Sequence, residues 1–238
     1  MDAVLRPRRQ FMNESQQQEQ DRRVLKWGGL AGMIGSIVFV VVFVIVFVFV
    51  GSDPNEPMGF PEIRVARTLE DGLYLAVFVL WIPHFLALYR ALRAERLAPA
   101  LFGSVLGIVG IVVLAAGALP HIATLRVSEL FHAPGTTAGD QAALELVWKA
   151  VYGVFDALLV VGLISTTIGV ICLGAAMVKN AKFSKGIGWI SVVLGVIGAV
   201  TAVVLLWNPS TLAAIAIFAL IIFHAVVGWK TYRLSKNL

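Results

Sequence analysis

Charge is scarce in this chain: 14% of its 238 residues are Asp, Glu, Lys or Arg, against roughly 25% in soluble proteins, and 59% are hydrophobic. A soluble globule is excluded. Cysteine is scarcer still. Cys172 stands alone inside a hydrophobic block, so an intrachain disulfide, a redox pair and a cysteine zinc cluster are all ruled out. The four histidines show no H-x-x-x-H or H-E-x-x-H spacing. Phosphate-cradling loops, serine triads and nucleic-acid patches are missing, and the polar segments are too short to hold a soluble catalytic domain. Nucleic acid is not an expected partner, and the sequence assigns no cofactor.

What the chain has in quantity is apolar runs of about twenty residues, each long enough to cross a ~30 Å hydrocarbon layer at 1.5 Å per residue. They fall at about 27–50, 69–92, 99–119, 147–178, 186–207 and 210–232. The predicted fold is an all-α membrane protein of six transmembrane helices, with residues 1–26 as an N-terminal tail and 27–238 as the transmembrane domain. The first run is too long for a cleaved secretory signal and no small-x-small pattern follows it, so a retained helix is expected. Its second half is almost entirely Val, Ile and Phe, which suits a helix at the edge of the bundle. The stretch 13–21, rich in glutamine, reads as flexible or as a short surface helix.

Lysine and arginine sort by side. Fifteen of the nineteen lie in the N-terminal tail, the second and fourth connections and the C-terminus, leaving Arg64, Arg67, Arg126 and Lys149 opposite. The positive-inside rule then predicts a multi-pass protein of the cell membrane with both termini cytoplasmic. Eight acidic residues, among them Glu70 and Asp71, count on the outer side and read as a solvated rim. Membrane lipids are the expected surroundings, and the basic tail is expected near anionic headgroups.

Glycine is patterned. Val105-Leu106-Gly107-Ile108-Val109-Gly110 in the third run matches Val193-Leu194-Gly195-Val196-Ile197-Gly198 in the fifth, with a looser Gly32-Met33-Ile34-Gly35 in the first. This suggests three helical hairpins in parallel repetition. Gly28 with Gly32, and Gly103 with Gly107, form small-x-x-x-small faces that let helix backbones approach, within the chain or toward a membrane-protein partner or second copy.

The basic turn Leu88-Tyr89-Arg90-Ala91-Leu92-Arg93 and the stretch from Leu173-Gly174 through Lys179, Gly186 and Trp189 to Leu194-Gly195 resemble a family of small bacterial six-span membrane proteins grouped under a domain of unknown function. The resemblance covers roughly residues 70–200. Ile187 and Gly188 stand where that family commonly has proline and arginine before the tryptophan. It implies a fold and no activity.

Ionisable residues within spans are functional candidates, because burying them in hydrocarbon is costly. His84 and His224 each lie six residues before a basic boundary, Arg90 and Lys230, and so share one depth ~9 Å inside it. Two imidazoles at one level suit a metal bridge or a bis-imidazole haem, with Cys172 at a similar depth, or they are hydrogen-bonded packing residues. His121 and Asp156 share the outer edge, with His132 and Glu145 nearby, and supply donors for a divalent metal or an acid–base role. Thr68-Leu69-Glu70-Asp71 reads as a capping box opening the second span, and residues 122–131 as a short interfacial helix. The 147–178 run is too long for a perpendicular crossing, and Trp81 is the one tryptophan deep enough to line a cavity. The sequence favours a bundle that serves as a subunit or accessory partner of a membrane assembly, or binds lipid-like molecules. The alternative is a membrane enzyme or redox protein using the histidines.

Overall fold

The computed structural model describes residues 2–50, 57–207 and 212–237, with side chains from 15–50, 57–207 and 213–237. Asn208-Pro209-Ser210, which in sequence reads as a tight turn and helix start between the last two spans, and Asp53 and Glu56, two of the eight acidic residues counted on the outer side, lie outside the described residues. Among those residues are six long helices and no strand: α1 (Asp2–Ile45, closed by a π-helical turn, Val46–Val50), α2 (Phe60–Leu92), α3 (Leu97–Phe131), α4 (Ala138–Val178), α5 (Lys185–Val204) and α6 (Leu212–Ser235). All six are long and apolar enough to cross a membrane.

Consecutive helices pack side by side and α1 closes the ring against α6, while α2, α4 and α6 also meet across the middle. Among the described residues odd helices touch only even ones. The glycine doublets are the reason. A Cβ on Gly35 would stand 2.6 Å from the Trp81 indole of α2, and one on Gly169 would stand 2.6 Å from the Gly107 backbone nitrogen. Lipid supplies no hydrophobic drive between helices, so such backbone approach and interhelical hydrogen bonds must hold the bundle. Hydroxyls contribute: Ser36 donates to Ile221 O at 3.1 Å, Ser104 to Phe85 O at 3.2 Å and Ser165 to Leu106 O at 3.0 Å. The helices form a closed ring of neighbours, and α6 packs more closely on α1 than on α5.

Asp21 bridges to Arg90 and the Glu95 carboxylate accepts from the Ala181 N–H, placing the part of α1 just before its apolar run and the α2–α3 and α4–α5 turns at one end, here the terminal end. At the opposite, distal end three expectations are corrected. Thr68 does not cap a helix: α2 begins eight residues earlier, with proline in its first turn, and the Thr68 hydroxyl donates to Arg64 O within it. Glu70 and Asp71, with Arg67, are therefore buried helix-interior residues rather than a solvated rim. Residues 122–131 are the continuation of α3. The capping box forms instead at Thr137 and Asp140, which open α4.

At 33, 35 and 41 residues, α2, α3 and α4 exceed the ~30 Å of hydrocarbon, and their distal ends pack around Phe60, Val127 and Trp148. Trp148 is thus a buried residue, whereas Trp27, Trp189, Trp207 and Trp229 are exposed as interfacial anchors would be. Residues 15–21 are helical and continuous with the first span, not a separate element.

Candidate functional site

His84 on α2 and His224 on α6 do meet. Both are fully buried, and their Nδ1 atoms lie 2.7 Å apart, so one imidazole donates and the other accepts. At metal–nitrogen distances of about 2.0–2.1 Å, two imidazoles on one ion stand about 3.3 Å apart in a tetrahedron and about 4 Å apart along an axis. The direct hydrogen bond leaves no place for a haem iron or bridging metal between them. Trp81 stacks on His224 with ring centroids 4.0 Å apart and planes within 7°, and Phe85 and Phe223 each present an edge at 5.1 Å. A Cβ on Gly32 of α1 would lie 2.7 Å from the His84 ring, so glycine there makes room for the pair. The two Nε2 atoms are buried and have no hydrogen-bond partner among the described residues. The pair is a clamp between α2 and α6 in an apolar shell.

The direct partner of His121 is not Asp156, which acts on it through charge alone. The His121 Nδ1 hydrogen-bonds Asp71 at 2.7 Å, with both side chains about 95% buried. Asp156 and Glu145 are exposed, and the His132 Nδ1–H donates to Ser128 O at the end of its own helix. Among the described residues no three His, Cys, Asp or Glu side chains cluster as metal ligands would. One turn before Asp71, Arg67 donates to Glu70 at 2.7 Å, and this pair is equally buried. Arg67, Glu70 and Asp71 fall at i, i+3 and i+4 and share a helix face. The quartet balances two acids against two bases. His121 is held from behind by Phe155, stacked at 4.7 Å, and by the edge of Tyr152 at 5.6 Å.

The Asp71–His121 bond forms the polar end of a cavity of about 200 Å³ inside the bundle. Each wall is one stripe of one helix. Helix α2 supplies Asp71, Tyr74, Phe78 and Trp81, at helical spacing along a single face. Leu114, Gly117, Ala118 and His121 repeat that pattern on α3, as do Phe155, Leu159 and Leu163 on α4. Phe39 of α1 and Ala213, Ile217 and Leu220 of α6 close the remaining sides. Trp81 lines this cavity, as its depth in the sequence predicts, and its indole also carries the His224 stack, so one ring stands between the cavity and the His84–His224 pair. A second cavity of about 220 Å³ lies on the other side of the dyad, against Arg67, Thr68, Gly72 and Ile122.

No protein-family model, curated protein or solved structure matches the chain, so the site is read from its own chemistry. Sequence reasoning missed Asp71, Arg67 and Glu70 as site residues. The signal was present: Asp71 heads the 71, 74, 78, 81 stripe, and a carboxylate at the head of an otherwise apolar stripe faces whatever that stripe encloses.

Proposed function

We propose that this six-helix membrane protein binds a lipid-soluble small molecule in its central cavity. The observation that carries this reading is the cavity itself: about 200 Å³ lined by five helices, apolar along its length and polar at one end. Bulky side chains at Gly117 or Ala118 would fill it, and the chain carries the two smallest residues there. A mostly apolar pocket with a few convergent polar groups is the usual form of a small-molecule site.

The reading as a subunit or accessory partner loses its main support, since the glycine faces that motivated it are occupied within the chain. Gly28 lies against Ala87 and Pro83, and Gly103 against Gly169 and Leu173. The histidine-based redox reading rests on a His84–His224 bond with no room for an ion. The favoured setting is the cell membrane with both termini cytoplasmic, which the distribution of lysine and arginine supports.

The experiment is extraction. Protein purified from its own membranes is stripped with organic solvent and the extract analysed by mass spectrometry, beside a Gly117→Leu variant. Gly117 lines the cavity, and a Cβ added there meets nothing closer than 3.4 Å. A near-stoichiometric small molecule from the wild type, reduced at least tenfold in the variant, is expected. A wild-type extract holding only bulk lipid, unchanged by the variant, contradicts the proposal.

A further inference from the structure

Resting on the reading that the central cavity holds a ligand, we infer that this ligand carries a neutral, oxygen-substituted aromatic or quinonoid ring, seated with its oxygen at the Asp71–His121 hydrogen bond. Three independent features of the cavity point to that chemical class.

The first is the wall. Five of the fifteen lining residues are Phe, Tyr or Trp, against 10% aromatics in the chain as a whole, and His121 adds a sixth ring. A cavity made only to hold alkyl chain needs leucine and isoleucine, which the α4 and α6 stripes supply. Rings gain from offset-stacked and edge-to-face contacts with other rings beyond simple burial of area. Phe78 and Trp81 already meet at 6.4 Å and 63°, and Tyr74 stacks on Phe78 at 6.1 Å and 14°, so one side of the cavity is a continuous aromatic surface.

The second is charge. Arg67 and Glu70 satisfy each other at 2.7 Å, and Asp71 and His121 do the same. Of these four only Asp71 and His121 line the central cavity, and an ionic head there would meet two groups that already hold each other. Such an ion, of either sign, would leave water without a free opposite charge to meet it. What the dyad offers a neutral ligand is hydrogen bonding in an apolar setting: the Asp71 carboxylate accepts from a ring hydroxyl, and the His121 nitrogen turned away from Asp71 accepts from a hydroxyl or, where it carries a proton, donates to a ring carbonyl.

The third is volume. An apolar cavity of roughly 150 Å³ accepts benzene. About 200 Å³ therefore takes one ring with a few substituents, and is too small for the headgroup and two chains of a phospholipid. The second cavity beyond the dyad is lined by the same Asp71 and His121 and is equally small.

The test uses the full chain, stripped of endogenous ligand and reconstituted in nanodiscs of one synthetic zwitterionic lipid. Three probes are titrated separately by isothermal calorimetry: a dimethoxy-methyl-benzoquinone, cyclohexanedione as a saturated diketone of similar polarity, and octanoate as an anion. Saturable binding of the quinone, at least tenfold tighter than either other probe and weakened at least tenfold in Gly117→Leu, is the expected result. The probe comparison is made on the wild type and so does not depend on a variant folding. Equal or tighter binding of cyclohexanedione or octanoate, lost in Gly117→Leu, overturns this inference while leaving the cavity as a ligand site. Absence of saturable binding by all three overturns it as well. If native extraction also yields nothing, the reading of the cavity as a ligand site falls with it.

Discussion

His84 and His224 lie 140 residues apart in sequence and hold each other through one Nδ1–Nδ1 hydrogen bond, with an indole stacked on one ring and glycine pressed against the other. Removing one partner leaves the other as a buried polar group without its bond, which costs about 1–3 kcal/mol, whereas removing both costs less than the sum. His84→Leu and His224→Leu should each lower thermal stability in detergent, and the double variant should recover part of the loss. Strict additivity would mean that the two rings do not interact.

Asp71 and His121 are expected to behave differently from the first pair because a carboxylate is involved. Asp71→Leu leaves the imidazole without its buried hydrogen bond, and losing such a bond to a charged group costs about 1.5–3 kcal/mol. Asp71→Asn keeps an acceptor in place and should retain most of that stability. Equal loss in the two variants, measured by unfolding in a graded denaturing detergent, would show that no directional bond is made.

Helix packing gives a third expectation. A Cβ at Gly169 would meet the Gly107 nitrogen at 2.6 Å and the Gly103 carbonyl at 2.7 Å, so Gly169→Val must part α3 from α4. Overpacking of this kind costs about 1–3 kcal/mol where side chains can adjust, and here the obstacle is backbone. Gly153 has nothing within 4 Å of an added Cβ, and Gly153→Ala on the same helix should be neutral or slightly stabilising. A melting temperature unchanged by Gly169→Val would contradict the close approach of the two helices.

Contact between the His84 and His224 rings was not legible in the sequence, but the six spans and the shared depth of the two histidines were, because apolar run length and distance from a basic boundary are nearly context-free. Asp71 was not. Thr68-x-x-Asp71 and Thr137-x-x-Asp140 present the same local pattern, and only the second caps a helix. The difference lies upstream: Pro61 in its first turn starts α2 at Phe60, where the ring packs with Val127 and Trp148 from two other helices. That tertiary contact lengthens α2, turns its apparent cap into helix interior and buries Asp71. Local pattern carries no record of it. Depth alone does not say which side of a helix faces the bundle, so the sequence does not show that Asp156 is exposed while Phe155 beside it stacks on His121.

Orientation is a separate expectation. Single cysteines introduced at Arg23 and at Lys236, in a Cys172→Ser background, should resist a membrane-impermeant thiol reagent in intact cells and react after permeabilisation, if the basic clusters face the cytoplasm. Labelling of either position in intact cells would reverse that assignment without altering the cavity.

The most direct measurement is a cryo-electron microscopy map of the protein purified from its own membranes, at a resolution that shows side chains. Density belonging to no residue, lying between Phe78 and Leu159 and ending within hydrogen-bond distance of His121 or Asp71, is the expected result. A cavity closed by inward movement of α4 or α6, or one that holds nothing, would contradict it.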